Sequence, residues 1–325
     1  MEKNEIIIIT NILEPEVKFY FLYHKENNDG ENEFLKELNN DIVEIYIDDS
    51  KINFEKYFIP KEPKSYTIKI KFKKKIIDCS KMFCDCFYLK DIDLSNFNSS
   101  DVTNMKSMFE SCTYLESINL TSLNTKNVKD MSRMFYNCCE LHHLDLSSFN
   151  TENVTNMEYF VYACLNLEDI DVSSFNTQNT TNMNNMFNSC YSLKNIDVSS
   201  FDTKNVTDMN YMFGTLSELE NLNLSNFDTQ NVTDMSFMFD HCNKLKKIDL
   251  SSFNTKNVKN MKSMFNECEA LSELDLSSFD FQNVTEFLNI FLFCEFKELK
   301  INKSSYEKIK LICKEECYSF KITAI

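Results

Sequence analysis

A chain of 325 residues that is 43 % hydrophobic can build a sizeable core and is not a disordered segment. It holds 2 Gly, 3 Pro and no Trp, where ordinary usage gives about 7 % Gly; with only Gly30 and Gly214, a P-loop and a dinucleotide fingerprint are both excluded by count. The net charge of −16 belongs to the middle, since residues 78–295 carry 14 Lys/Arg against 31 Asp/Glu while 1–77 carry 13 against 15 and 296–325 carry 7 against 4, so nucleic acid is not an expected partner.

The chain starts MEKNEIIIITNILEPEVKFYF, an apolar run of four isoleucines flanked by acids. A secretory leader needs a basic start and a longer apolar region, and a membrane span needs about 20 apolar residues, so neither is expected. Thirteen cysteines without an export signal imply reduced thiols and a cytoplasmic location. Residues 1–75 read as an α+β N-terminal cap. EIIIITNI, EVKFYFLY, DIVEIYIDD and SYTIKIKF are predicted strands and NEFLKELNN a predicted helix. SYTIKIKF sits almost one period before the first repeat strand, which places it as the strand capping the repeat sheet, its lysines guarding an edge.

Residues 76–301 are an array of about eight to nine copies of a 26-residue unit. Met-Phe recurs at Met82-Phe83, Met108-Phe109 and Met134-Phe135, then at Met186, Met212, Met238 and Met264, with Phe160-Val161 filling the gap. A cysteine column keeps the same beat from Cys86 to Cys294, Leu216 replacing it once. In the copy starting at Val102, Met105, Met108, Phe109 and Cys112 fall at i, i+3, i+4 and i+7, the spacing of one helix stripe, with Thr103 or Asn104 as its cap. Ile118-Asn119-Leu120 then reads as a short strand with the aliphatics inward, followed by a Phe column and an Asn-rich turn. In that turn the column Asn127 to Asn283 is expected to bond open backbone groups and to be partly buried. Five of its members begin Asn-X-Thr sites, and their burial would disfavour a glycosylating route. Residues 302–325 read as a C-terminal cap, SSYEKIKLICKEEC a helix and YSFKITAI a strand, after a one-residue slip that puts Leu299 and Ile301 on the last ladder strand.

The pattern L-x-x-I-D-L-S-S-F-N-T-x-N-V-T-x-M-x-x-M-F-x-x-C, with Leu141-His142-His143-Leu144-Asp145-Leu146 carrying L-x-x-L-x-L, resembles the 26-residue surface-protein repeat of BspA-like leucine-rich-repeat proteins. The resemblance implies an α/β leucine-rich-repeat solenoid of strand-turn-helix units with a strand-lined concave side. It also implies a non-enzymatic surface protein of adhesion and host contact.

The Met-Met-Phe-Cys columns recur at every rung beside Phe and Leu, so they read as interior and not as a soft-metal site. Cys79, Cys84 and Cys86 lie at one end of the array and Cys313 and Cys317 at the other, too far apart for one zinc. His24, His142, His143 and His241 show no ligand spacing. No metal, cofactor or catalytic centre is expected. The distinctive surface feature is the residue between the strand aliphatics: Asp93, Asp145, Asp171, Asp197, Asp249 and Asp275, with Asn119 and Asn223 in the same column. It must point away from the core, toward a serine column two residues on. Two readings stand: Asp bonds the adjacent Ser and keeps the sheet soluble, or the stripe receives a basic partner. The chain is expected to be a non-enzymatic scaffold holding a protein partner, with a surface adhesin or a subunit of a large assembly as alternatives.

Overall fold

The computed structural model describes residues 4–23, 33–315 and 320–325; Gly30, His24 and Cys317 lie outside the described residues. The N-terminal segment comprises β1 (Glu5–Asn11), β2 (Phe19–Tyr20), α1 (Glu33–Glu37), β3 (Val43–Ile47), β4 (Ser50–Ile52), β5 (Tyr57–Phe58) and β6 (Ser65–Phe72). Of the predicted strands, EVKFYFLY shrinks to the two residues of β2, and β4 and β5 are additional. A six-stranded sheet runs β4-β3-β6-β1 and continues into β7 (Asp91–Asp93) and β8 (Ser117–Asn119) of the array. SYTIKIKF, as β6, is therefore not the strand that meets the array. β1 is, pairing antiparallel with both β6 and β7, Ile8 opposite Ile68 and Ile92.

Beyond β7 and β8 the array carries β9 (His143–Asp145), β10 (Asp169–Asp171), β11 (Asn221–Asn223), β12 (Lys247–Asp249), β13 (Glu273–Leu276) and β14 (Glu298–Ile301). α2 (Tyr306–Glu315) and β15 (Lys321–Ala324) follow, β15 parallel to β14. The copies stack as rungs of a repeat solenoid. Rungs pair in parallel 26 residues apart, Ile92 with Ile118 and Leu222 with Ile248. At the end the step is 25, Leu274 opposite Leu299, the slip expected from the sequence. Lys308 on α2 closes the array by donating to the Phe281 and Val284 carbonyls at 2.6 and 2.7 Å.

The strand-turn-helix expectation is corrected. Among the described residues the only helices are α1 and α2, outside the repeats, so the array is a β-type solenoid and not an α/β one. Met105, Met108, Phe109 and Cys112 do share one fully buried side, but their backbone takes a different path. The N–H groups of residues 105, 107, 109 and 111 donate to carbonyls of the next rung, for example Phe109 to Met134 at 2.9 Å. Those of 108, 110 and 112 close local turns onto the residue three back, and Lys106 N–H goes to Asn104 Oδ1 at 3.0 Å. Every donor a helix would use is already committed. The fold demands left-handed φ twice per rung, four residues apart, as at Ser107 (57°) and Ser111 (59°). Glycine would serve there most easily, yet none of these positions holds one.

Ala163, at φ 56°, distinguishes the two paths. In a helix Ala163→Gly would cost about 1 kcal/mol. In the left-handed region it removes a Cβ clash of about 1–2 kcal/mol, partly offset by unfolded-chain entropy. We expect the glycine variant to melt higher than the parent in a thermal scan; a lower melting temperature would favour the helix.

Candidate partner-binding face

Corners in this glycine-poor chain are made by side-chain carbonyls. Asp93, Asp145, Asp171, Asp197, Asp249 and Asp275 each accept, at Oδ1, the N–H of the serine two residues on at 2.9 Å. Asn119 accepts the Thr121 N–H and Asn223 the Ser225 N–H in the same way, at 3.2 and 3.1 Å. A second such column includes Asn150 and Asp202, and a third Asn104 and Asp234. The third makes an unbroken line of parallel bridges from Asp78 to Glu286. An amide oxygen closes these turns as well as a carboxylate, so turn closure explains Asp or Asn and leaves the excess of Asp unexplained.

The structure places the six aspartates on the exposed side, Asp145, Asp197, Asp249 and Asp275 exposed and Asp93 and Asp171 half-buried. It brings Asp145 and Asp171 together as direct cross-strand neighbours. Asp93 lies beside Asn119, Asp249 beside Asn223 and Asp275 beside Lys300, while Asp197 lies outside any assigned strand. The register slip sets Lys300 opposite Asp275, a neighbour the sequence reading missed.

The flanking columns neutralise themselves, Lys90 with Glu116 at 3.1 Å, Lys194 with Glu168 at 2.8 Å, and Lys244 and Lys246 with Glu218 and Glu220 at 2.6 Å each. Among the described residues none of the six aspartates has an ion-pair partner within 4.0 Å. The carboxyls of Asp145, Asp197 and Asp249 are held down locally. The Ser147 hydroxyl, then its N–H, lowers Asp145, Ser199 acts likewise on Asp197, and at Asp249 the Ser251 N–H comes first. Lowered native values mean stability that is present above the unfolded value near pH 4 and lost as pH falls through the native ones. Acidification below about pH 4 should therefore lower the melting temperature, and Asp145→Asn with Asp197→Asn and Asp249→Asn should flatten that dependence. The groups are exposed, so each share is about a few tenths of a kcal/mol.

The cysteine column has a structural job that the sequence did not disclose. From Cys112 on, each Sγ of the column donates to a carbonyl 29 residues earlier, Cys112 to Phe83 at 3.2 Å, Cys138 to Phe109 at 3.1 Å and Cys164 to Phe135 at 3.0 Å. Burial pushes the Cys112, Cys138 and Cys164 thiols far up and those of Cys242 and Cys294 to about 12, and thiolate chemistry is suppressed there. The described cysteines are free thiols. Among the described residues no group of three or more His, Cys, Asp or Glu is arranged to hold a metal ion. Among the described residues no helix is long and apolar enough to cross a membrane. His241 has its ring nitrogens 2.9 Å from Asp240 and 3.1 Å from Glu267, linking two rungs.

The Asn column bonds backbone as expected, Asn153 Nδ2 donating to Lys126 O and Asn205 Nδ2 to Gln178 O at 2.9 and 2.7 Å. It is exposed, not partly buried, because only the amide is used and the turn lies on the rim. The irregular rungs are packing solutions. Phe160 sends its ring edge-on to Phe135. At Gly214 a Cβ would lie 2.8 Å from the Tyr211 ring, which stacks on Phe237 at 4.3 Å.

The protein family described as "Mycoplasma protein of unknown function, DUF285" matches residues 61–164, 138–229 and 191–305. These overlapping matches span most of the chain, and the chain belongs to that family. No curated protein matches it.

Proposed function

We propose that this member of the DUF285 family is a non-enzymatic repeat scaffold whose exposed acidic face holds a protein partner, a basic one by charge. The observation that carries the reading is the contrast between columns. Glutamates beside the face are ion-paired with lysines, whereas among the described residues no aspartate of the column is, although Asp145 and Asp171 stand side by side and neighbouring carboxylates repel by about 1 kcal/mol in water. An Asn column would close the same turns without that cost. The thirteen cysteines, read as reduced thiols, support a cytoplasmic site of action. The resemblance to BspA-like leucine-rich repeats supports a second reading, a cell-surface adhesin, and the exposed Asn column removes the burial argument against it.

The test is affinity capture with the parent chain and with Asp145→Asn, Asp171→Asn, Asp197→Asn and Asp249→Asn combined. Asn119 and Asn223 already make the same turn, so the variant should fold, as circular dichroism will show. A partner lost only with the variant supports the scaffold; a partner retained makes the stripe structural. Labelling on intact cells would favour the adhesin, and saturable turnover of any substrate would overturn both.

A further inference from the structure

The face changes character where β1 joins the array. β1 buries Ile6, Ile8 and Thr10 completely and turns Ile7 and Ile9 outward. Ile7 stands opposite Asp93, and Ile9, 45 % exposed, opposite Asp91. A solvated sheet face ordinarily carries polar residues at such positions, as the repeats do. The two isoleucines, with Ile118 and the carboxylates of Asp91 and Asp93, line a bowl of about 440 Å³ on the surface. At the neighbouring end Tyr88 and Tyr114 are 66 % and 55 % exposed and stack at 5.6 Å. Tyr88 is held to β1 by the Thr10 hydroxyl, which donates to its carbonyl at 3.0 Å.

We infer that this bowl docks an aliphatic side chain of an extended partner segment whose neighbouring lysines or arginines lie over the Asp face. The inference rests on the scaffold reading and names the partner's chemistry. Charge decides the occupant. On the β6 side, Lys69 is already paired with Asp49 at 3.2 Å and Lys71 lies 3.9 Å from Glu5. On the array side Asp91 bonds only the Ser117 hydroxyl and Asp93 only the Ser95 N–H, with no cation beside either. The apolar floor is therefore open to one side of negative charge, which resumes at Asp145 and Asp171 beyond Asn119. An aliphatic residue alone would leave that charge uncompensated, and a lysine alone would leave the isoleucines wet. A strand-like segment supplies both, because alternate side chains share one face about 6.6 Å apart.

The experiment uses fluorescence anisotropy of the full chain with three labelled nine-residue peptides: threonine and lysine alternating around one central leucine, the same with serine for leucine, and the same with glutamate for lysine. The leucine peptide should bind saturably, the serine peptide about tenfold or more weaker, and the glutamate peptide not at all. Ile9→Ser, at an exposed position, should leave the melting temperature unchanged and reduce the leucine peptide to the level of the serine one. Binding that depends on lysine but is indifferent to leucine and to Ile9→Ser would overturn the bowl and leave the acidic scaffold standing. No saturable binding of the leucine peptide up to about 1 mM would also overturn the bowl. So would a concentration-dependent dimer of the parent that Ile9→Ser abolishes, because the occupant would then be a second copy. The scaffold itself is tested separately, by the fourfold Asp→Asn capture experiment.

Discussion

Thr177→Val should destabilise the protein by about 2–4 kcal/mol, although valine has nearly the shape of threonine. Thr177 is fully buried, and its hydroxyl is used twice, donating to Asp202 O and accepting Asp202 N–H, both at 2.8 Å. The same double bond is made by Thr151 on residue 176, Thr203 on 228 and Thr229 on 254. Valine strands a donor and an acceptor together, each costing about 1–3 kcal/mol if water is kept out. Thr177→Ser keeps both bonds and loses one methyl, for about 1 kcal/mol. Urea titration of the two variants separates hydroxyl from methyl. If valine and serine cost the same, the hydroxyl ladder contributes nothing net.

The period, the inward columns and the end strands of the array were legible because burial imposes residue type. Met105, Phe109 and Cys112 are apolar on any path that buries them. The path itself was not legible. An i, i+3, i+4, i+7 stripe fits a helix and equally fits two turns with left-handed residues at the third and seventh positions. Those positions hold Ser107, Arg133, Tyr159 and Phe237, types that announce nothing about φ. One signal was available and overlooked: Thr125, Thr151, Thr177, Thr203, Thr229 and Thr255 keep one residue type within an otherwise polar and variable turn, as a buried double bond requires. The neighbour of β7 could not be read either. Ile6 to Ile9 on β1 form an unbroken apolar run, whereas Ile68 and Ile70 on β6 alternate with lysine, and neither pattern by itself names the strand's neighbour. At the candidate face the Asp column and its outward aim were legible. Its lack of ion pairs depended on where lysines of neighbouring rungs reach.

Phe213→Ala should cost about 3–5 kcal/mol, the larger of the two effects. The Phe213 ring is fully buried, stacked on Phe187 at 5.9 Å and on Phe239 at 6.0 Å, and tilted against Phe227 at 6.2 Å. Truncation removes contacts to both neighbouring rungs at once. It does so where Leu216 supplies no thiol, so that the Phe187 carbonyl is bonded only by Cys190 N–H at 3.4 Å. In a solenoid, cohesion is close to a sum of nearest-neighbour terms, so weakening one mid-array interface should divide the cooperative unit. Hydrogen exchange read by mass spectrometry should then show amides on either side of this rung opening at different urea concentrations. Phe109→Ala, one rung from the sheet that β1 extends, should lose comparable stability without the division. A single transition in Phe213→Ala would mean that the backbone ladders, Met209 N–H to Asp234 O at 3.1 Å and Met183 N–H to Asp208 O at 3.3 Å among them, couple the rungs more strongly than the ring stack does.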